Sequence, residues 1–140
     1  MSATDVEVVG ERPVRRRVLI TGLSSYWGGR LAQALESFAE VEAIVGVDSR
    51  DPTRELERTE FVRVSNQHGL IQRIVRAARI DTVIDARLVV DSITTTRQKA
   101  HESNVIGTMN LLAAAGAPDS SVRQLVVKSS TLVYLSLIHI

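Results

Sequence analysis

Val18-Leu19-Ile20-Thr21-Gly22-Leu23-Ser24-Ser25-Tyr26-Trp27-Gly28-Gly29-Arg30-Leu31 is the stretch that decides the fold. Val18–Thr21 is a short apolar run that stops at Gly22, the pattern of a buried strand. From Trp27 to Ala39, apolar residues recur at Trp27, Leu31, Ala34, Leu35 and Phe38, the spacing of one helix face. Strand, glycine turn and helix in that order is the setting of a phosphate-binding turn. Gly22 suits the tight turn and Gly28 suits close packing of helix on strand. The helix start then offers N–H groups and the positive end of its dipole to a pyrophosphate. Two glycines six apart serve equally well in a turn that binds nothing, so this stretch alone leaves both readings open.

Working outward, the chain keeps alternating. Ala43–Val47 reads as a second strand, ended by the turn sequence Asp48-Ser49-Arg50-Asp51-Pro52, and Phe61–Val64 as a third. Leu70, Ile71, Ile74, Val75 and Ala78 have helical spacing. Thr82–Ile84 is a fourth strand. Roughly Ile93 to Ala115 is a long helix, stopped by Gly116 with Pro118 beyond it, and Leu125–Lys128 is a fifth strand. Strands apolar on both faces, separated by helices, predict an α/β fold of Rossmann type. Its parallel sheet is doubly wound, in the order 3-2-1-4-5, and breaks off after strand five. Residues 1–14 read as a flexible tail and 15–134 as one incomplete dinucleotide-binding domain. Strand five then forms an exposed apolar edge.

Composition agrees with a globular domain: 44% of the 140 residues are hydrophobic and 24% charged. Seventeen basic and sixteen acidic side chains give a net charge of +1, which argues against nucleic acid or an anionic membrane as a partner. Arg15-Arg16-Arg17 reads as the solvated entrance to strand one. The chain has no cysteine, so thiol catalysis and thiolate metal sites are excluded. His68, read as a loop residue, His101 and His139 are too scattered for a metal site. Asp81, Asp85 and Asp91, around strand four, suit turn and capping roles. No run approaches the length of a membrane span and no secretory leader is visible, so the expectation is a cytoplasmic protein.

Asp48 stands at the end of strand two, twenty residues beyond Gly28. An acid there accepts hydrogen bonds from an adenosine ribose and repels a 2′-phosphate, favouring NAD over NADP. Arg50 pulls the other way. Further on stand Asn104-Val105-Ile106-Gly107-Thr108-Met109-Asn110-Leu111-Leu112 and Ser129-Ser130-Thr131-Leu132-Val133-Tyr134. With the Thr21–Leu31 turn and Asp48, these resemble the extended short-chain dehydrogenase/reductases, and within them the NAD-dependent epimerase/dehydratase family. The resemblance spans residues 17–134. It implies an NAD-dependent oxidoreductase acting on a sugar nucleotide or similar hydroxylated small molecule, in a parent protein that forms a homodimer.

By the same resemblance, the cofactor would lie along Gly22, Ser25, Tyr26, Trp27 and Gly28 of the turn and Asp48 and Ser49 after strand two. Asn66 after strand three, Ala86 and Arg87 after strand four and Asn104 on the long helix complete that set. Ser130 would be the catalytic hydroxyl that orients the substrate. Three positions depart from the family pattern. Ser25 replaces the middle glycine of the turn, and Ser65 replaces an adenine-contacting Asp. Arg87 stands where small residues usually pack against the cofactor, and it could meet pyrophosphate, pair with Asp85 or fill the pocket. The family's acid/base motif, Tyr-x-x-x-Lys, is absent from these 140 residues.

The last six residues, Leu135-Ser136-Leu137-Ile138-His139-Ile140, are one translation of CTGTCTCTTATACACATC, which resembles a sequencing-library adapter. The expectation is that 135–140 are a non-native tail on a fragment that is itself inactive. The rival reading is a non-catalytic nucleotide-binding or protein-interaction module, which the three departures favour. A methyltransferase fits Thr21-Gly22 poorly, and a receiver-like domain needs acids where Ile20-Thr21 stand.

Overall fold

A computed structural model of the protein describes residues 15–64, 68–87, 98 and 107–128. Its elements in chain order are β1 (Arg16–Thr21), α1 (Tyr26–Glu36), β2 (Val41–Asp48), β3 (Thr59–Arg63), α2 (His68–Ala77), β4 (Thr82–Asp85), α3 (Gly107–Ala115) and β5 (Gln124–Val127). The five strands form one sheet in the order β3-β2-β1-β4-β5, and every pairing is parallel. This is the doubly wound arrangement expected from the alternation of apolar runs and helical stripes.

The side-chain period of two divides β1 between two cores. Leu19 points into one, with Val45, Val47 and Val83, beneath Val75 of α2 and Leu111 of α3. Val18 and Ile20 point into the other, with Ile44 and Leu23, beneath Ala32 of α1. A strand covered on both faces has no polar alternation to show, which is why β1 reads as an unbroken apolar run.

Three local expectations change. The buried stripe of α1 is rotated from the one predicted: Gly28, Gly29 and Ala32 are buried and Leu31 and Leu35 pack against the core, while Ala34 is exposed and Trp27 and Phe38 are 52% exposed. Small residues let the helix press close to the sheet, so they take the inside track and the larger side chains are turned outward. The helix also stops at Glu36, short of Ala39, because Ser37 N–H donates to the carbonyls of Ala34 and Leu35 and its hydroxyl bonds back to Ala34. His68 opens α2 and does not lie in a loop.

At the other end of the sheet, Gly116 N–H closes α3 onto Leu112 O at 2.8 Å, the glycine stop that was expected. Among the described residues strand β5 pairs only with β4, and Val126 and Val127 are 43% and 48% exposed. None of the described helices is long and apolar enough to cross a membrane. The tail 1–14, Asn66, Asn104, Ser130, Tyr134 and the segment 135–140 lie outside the described residues.

Candidate functional site

The turn after β1 is built on two glycines. Gly22 has φ +78°, a conformation that side chains with a Cβ rarely adopt, and its N–H bonds Val47 O at 3.0 Å. A Cβ on Gly28 would fall 2.1 Å from Gly22 O, so this close approach admits only glycine. Both roles are those read from the sequence.

Ser25, the replaced middle glycine, is the N-cap of α1. Its hydroxyl accepts from Gly28 N–H at 3.0 Å and donates to Gly22 O at 2.6 Å. Its carbonyl takes Gly29 N–H at 3.0 Å. The N–H groups of Tyr26 and Trp27 have no partner among the described residues. Their rings meet edge to face, with centroids 5.2 Å apart, and both are more than half exposed. The guanidinium groups of Arg30 and Arg54 each lie 5.4 Å from the Tyr26 ring centroid.

Asp48 at the end of β2 is fastened to the same turn. One carboxylate oxygen accepts Ser24 N–H at 2.9 Å and the Ser24 hydroxyl, and the other accepts Ser49 N–H at 2.7 Å. Ser24 went unnoticed in the sequence. A hydroxyl in the turn facing the acid of the neighbouring strand was the available signal. No cation lies within ion-pair distance of Asp48 among the described residues, and Arg50 is exposed.

Strand β4 brings a second carboxylate to the crevice. Asp85 is 3% exposed and accepts the Thr21 hydroxyl at 2.8 Å, Arg87 Nε at 2.8 Å and Arg87 Nη2 at 3.1 Å. Burial pushes its carboxyl up, but the hydrogen bonds and charge of Arg87, with the Thr21 bond, outweigh that and hold it below the ordinary carboxylate value. The turn role expected of Asp85 is present, since Oδ1 accepts Arg87 N–H at 3.2 Å, and the ion pair with the Arg87 side chain is added to it because a buried carboxylate needs a cation. Asp81 does serve the backbone, accepting Arg17 N–H at 2.9 Å. Of the three roles considered for Arg87, pairing with Asp85 is the one observed.

Gly22, Ser25, Gly28, Ala86 and Arg87 thus converge. Ser25 Oγ lies 3.4 Å from Ala86 O, and a Cβ on Gly22 would meet Arg87 Cγ at 3.0 Å. Asp48 joins them through Ser24. All sit at the carboxyl ends of β1, β2 and β4, where open parallel sheets bind ligands. A surface concavity lined by Arg17, Glu42, Arg58 and Glu60 opens near the strand starts instead, away from this constellation.

Solved structures similar to this chain share its fold. An epimerase of Methanothermobacter thermautotrophicus matches with a TM-score of 0.70 at 21% identity, over 85% of this chain and 36% of that one. The dTDP-glucose 4,6-dehydratase of Bacillus anthracis, in complex with NAD, matches with a TM-score of 0.67 at 19% identity, over 85% and 39%. MoeE5 in complex with UDP-glucose and NAD matches with a TM-score of 0.66 at 26% identity, over 84% and 38%. Among curated proteins, an uncharacterised protein of Mycobacterium bovis is 35% identical over 128 residues, covering 87% of this chain. The chain spans 34% of the length of that relative. Residues 18–137 match the model of the NAD dependent epimerase/dehydratase family. A parallel 3-2-1-4-5 sheet, a glycine turn at the end of β1 and an acid at the end of β2 accompany that match, and the chain belongs to the NAD-dependent epimerase/dehydratase family.

Proposed function

We propose that this chain is the cofactor-binding part of an NAD-dependent epimerase- or dehydratase-type oxidoreductase that acts on a sugar nucleotide or similar hydroxylated substrate. The observation that carries the reading is the Ser24–Asp48 corner. An acid at the end of β2 is oriented by the same turn that presents the unpartnered N–H groups of Tyr26 and Trp27. Gly22 and Gly28 keep the turn low enough for a diphosphate to approach, and Ser49 continues the ribose end. NAD is preferred over NADP because Asp48 would meet the ribose with no neutralising cation among the described residues. Bound nicotinamide would supply hydride transfer. The chain's own residues bind and orient it.

MoeE5, similar at 26% identity, is recorded with UDP-glucose and NAD, which supports the substrate class. Asn66 and Asn104 are proposed as further cofactor contacts and Ser130 as the substrate-orienting hydroxyl, on their match to the family motifs. The 140 residues hold no Tyr-x-x-x-Lys, so the chain alone is proposed to be inactive. The parent protein is proposed to be a cytoplasmic homodimer, and the exposure of Met109 and Leu112 on α3 supports the pairing. The rival, a non-catalytic module, is favoured by Ser25, which already occupies Gly28 N–H.

Trp27 is the chain's single tryptophan and stands in the turn, so its fluorescence reports on occupancy. Titration with NAD should change it saturably, NADP should bind about tenfold or more weakly, and Asp48→Ala should weaken NAD by a similar factor. No saturable change at millimolar NAD sinks the dinucleotide reading and leaves the rival.

A further inference from the structure

The crevice between the carboxyl ends of β1 and β4 is the point where the strand order reverses, and a ligand of a doubly wound sheet passes through it. Arg87 crosses that crevice. Its Cγ lies against Gly22, 3.0 Å from where a Cβ would stand, and its Nη1 reaches the start of α3, only 2.2 Å from where a Cβ on Gly107 would stand. A side chain at 107 would push the guanidinium aside, so Gly107 leaves Arg87 the room it occupies. Any dinucleotide in this crevice either rests on Arg87 or is obstructed by it.

We propose that Arg87 is the side chain against which the diphosphate of the dinucleotide rests, with Asp85 as the positioning residue that aims it. This deepens the dinucleotide reading above and rests on it. Two observations favour contact over obstruction. First, the turn has spent a donor on itself: the Ser25 hydroxyl takes the N–H of Gly28 at 3.0 Å. A diphosphate meeting this turn finds fewer backbone donors than a glycine at position 25 would leave, and the guanidinium stands beside the deficit. Second, Arg87 is already fixed. Its Nε and Nη2 grip both oxygens of Asp85, which is itself anchored by Thr21. A fork held in that way loses little side-chain freedom when a ligand arrives. Asp85 offsets the charge of Arg87, so the expected gain is a directed hydrogen bond to an anion, not a long-range attraction.

The test compares adenosine, ADP-ribose and NAD by Trp27 fluorescence, using the 140-residue chain and its variants Arg87→Met, Arg87→Lys and Asp85→Asn, with thermal melts by circular dichroism alongside. Arg87→Met should bind ADP-ribose and NAD about tenfold more weakly and adenosine within twofold of the parent chain. Asp85→Asn should show the same selective loss, smaller in size. Arg87→Lys keeps the cation without the fork and should lose about threefold for ADP-ribose alone. It carries the test if Arg87→Met does not fold, and an unchanged affinity there overturns the proposal. ADP-ribose binding that is equal or tighter in Arg87→Met overturns it too, and identifies Arg87 as a plug. Parallel losses for adenosine and ADP-ribose overturn it in favour of a structural role. Binding of none of the three ligands by the parent chain removes the dinucleotide reading and this inference with it.

Discussion

Asp48 and Asp85 end the two strands that flank β1, and each accepts a hydroxyl from β1 or the turn after it. There the likeness stops. Asp85 is 3% exposed and gripped by a guanidinium. Asp48 is only partly buried and is held by Ser24 and the Ser49 N–H, with no cation beside it among the described residues. The same side chain at equivalent strand ends therefore does two jobs. Where burial removes water, the carboxylate must be neutralised, and it becomes a fixture that positions Arg87. Where water remains, neutral donors suffice to orient it, and its charge stays directed outward for a ligand to use.

The contrast is broken most forcibly at Asp85. Asp85→Ala removes the carboxylate that grips Arg87 and should cost about 2–3 kcal/mol, below the full value for a buried pair because Arg87 is 24% exposed. Urea melts measure it, and a cost under about 0.5 kcal/mol would show that the pair holds nothing together. Replacing both partners, Asp85→Leu with Arg87→Met, should recover most of the loss. Acid gives an independent check. Burial raises the Asp85 carboxyl, but Arg87 and Thr21 bring it below its ordinary value of 3.8. A depressed carboxylate contributes stability fully above 3.8 and loses it as pH falls through the folded value. Asp85→Asn should flatten that limb of the stability curve.

That pair also marks the limit of what the sequence discloses. The sheet was legible because β1, β2 and β4 are covered on both faces, and such strands read as apolar runs whatever their neighbours. The glycine turn was legible because Gly22 and Gly28 answer to local geometry. The turn role of Asp85 was legible, but which of three roles Arg87 takes was not, because the chain alone does not show that Asp85 is buried. The α1 face was misread for a related reason. Counting apolar residues favours bulk, whereas the sheet selected Gly28, Gly29 and Ala32 for closeness. The end of α1 depends on distance in another sense: Arg58, over twenty residues later, donates to the carbonyls of Leu35, Glu36, Phe38 and Val41. Ser37 stops the helix locally, but no local period encodes this second cap, which arrives from the loop between β2 and β3.

Asp48 should respond in the opposite way to Asp85. Asp48→Asn keeps an acceptor for Ser24, gives up the bond from the exposed Ser49 N–H and buries no orphaned charge, so the stability cost should stay below about 1 kcal/mol. Its effect belongs in ligand binding. A destabilisation as large as that of Asp85→Ala would make Asp48 a second structural fixture and erase the distinction between the two carboxylates.

The smallest effect on stability, and the finest test of the site, lies at Ser25. Ser25→Gly restores the residue the family places there. Position 25 has φ −70° and ψ 160°, which glycine adopts without strain. Glycine is nearly as good an N-cap as serine, so stability should change by only a few tenths of a kcal/mol. The ligand consequence is larger. Without the hydroxyl, Gly28 N–H is released and a methylene leaves the path of the diphosphate, so NAD should bind several-fold more tightly by Trp27 fluorescence. If the variant binds NAD more weakly, the Ser25 hydroxyl itself must turn from Gly22 O to the ligand. The departure at this position would then be a donor in its own right, and the deficit assigned to the turn would be smaller than its resting hydrogen bonds imply.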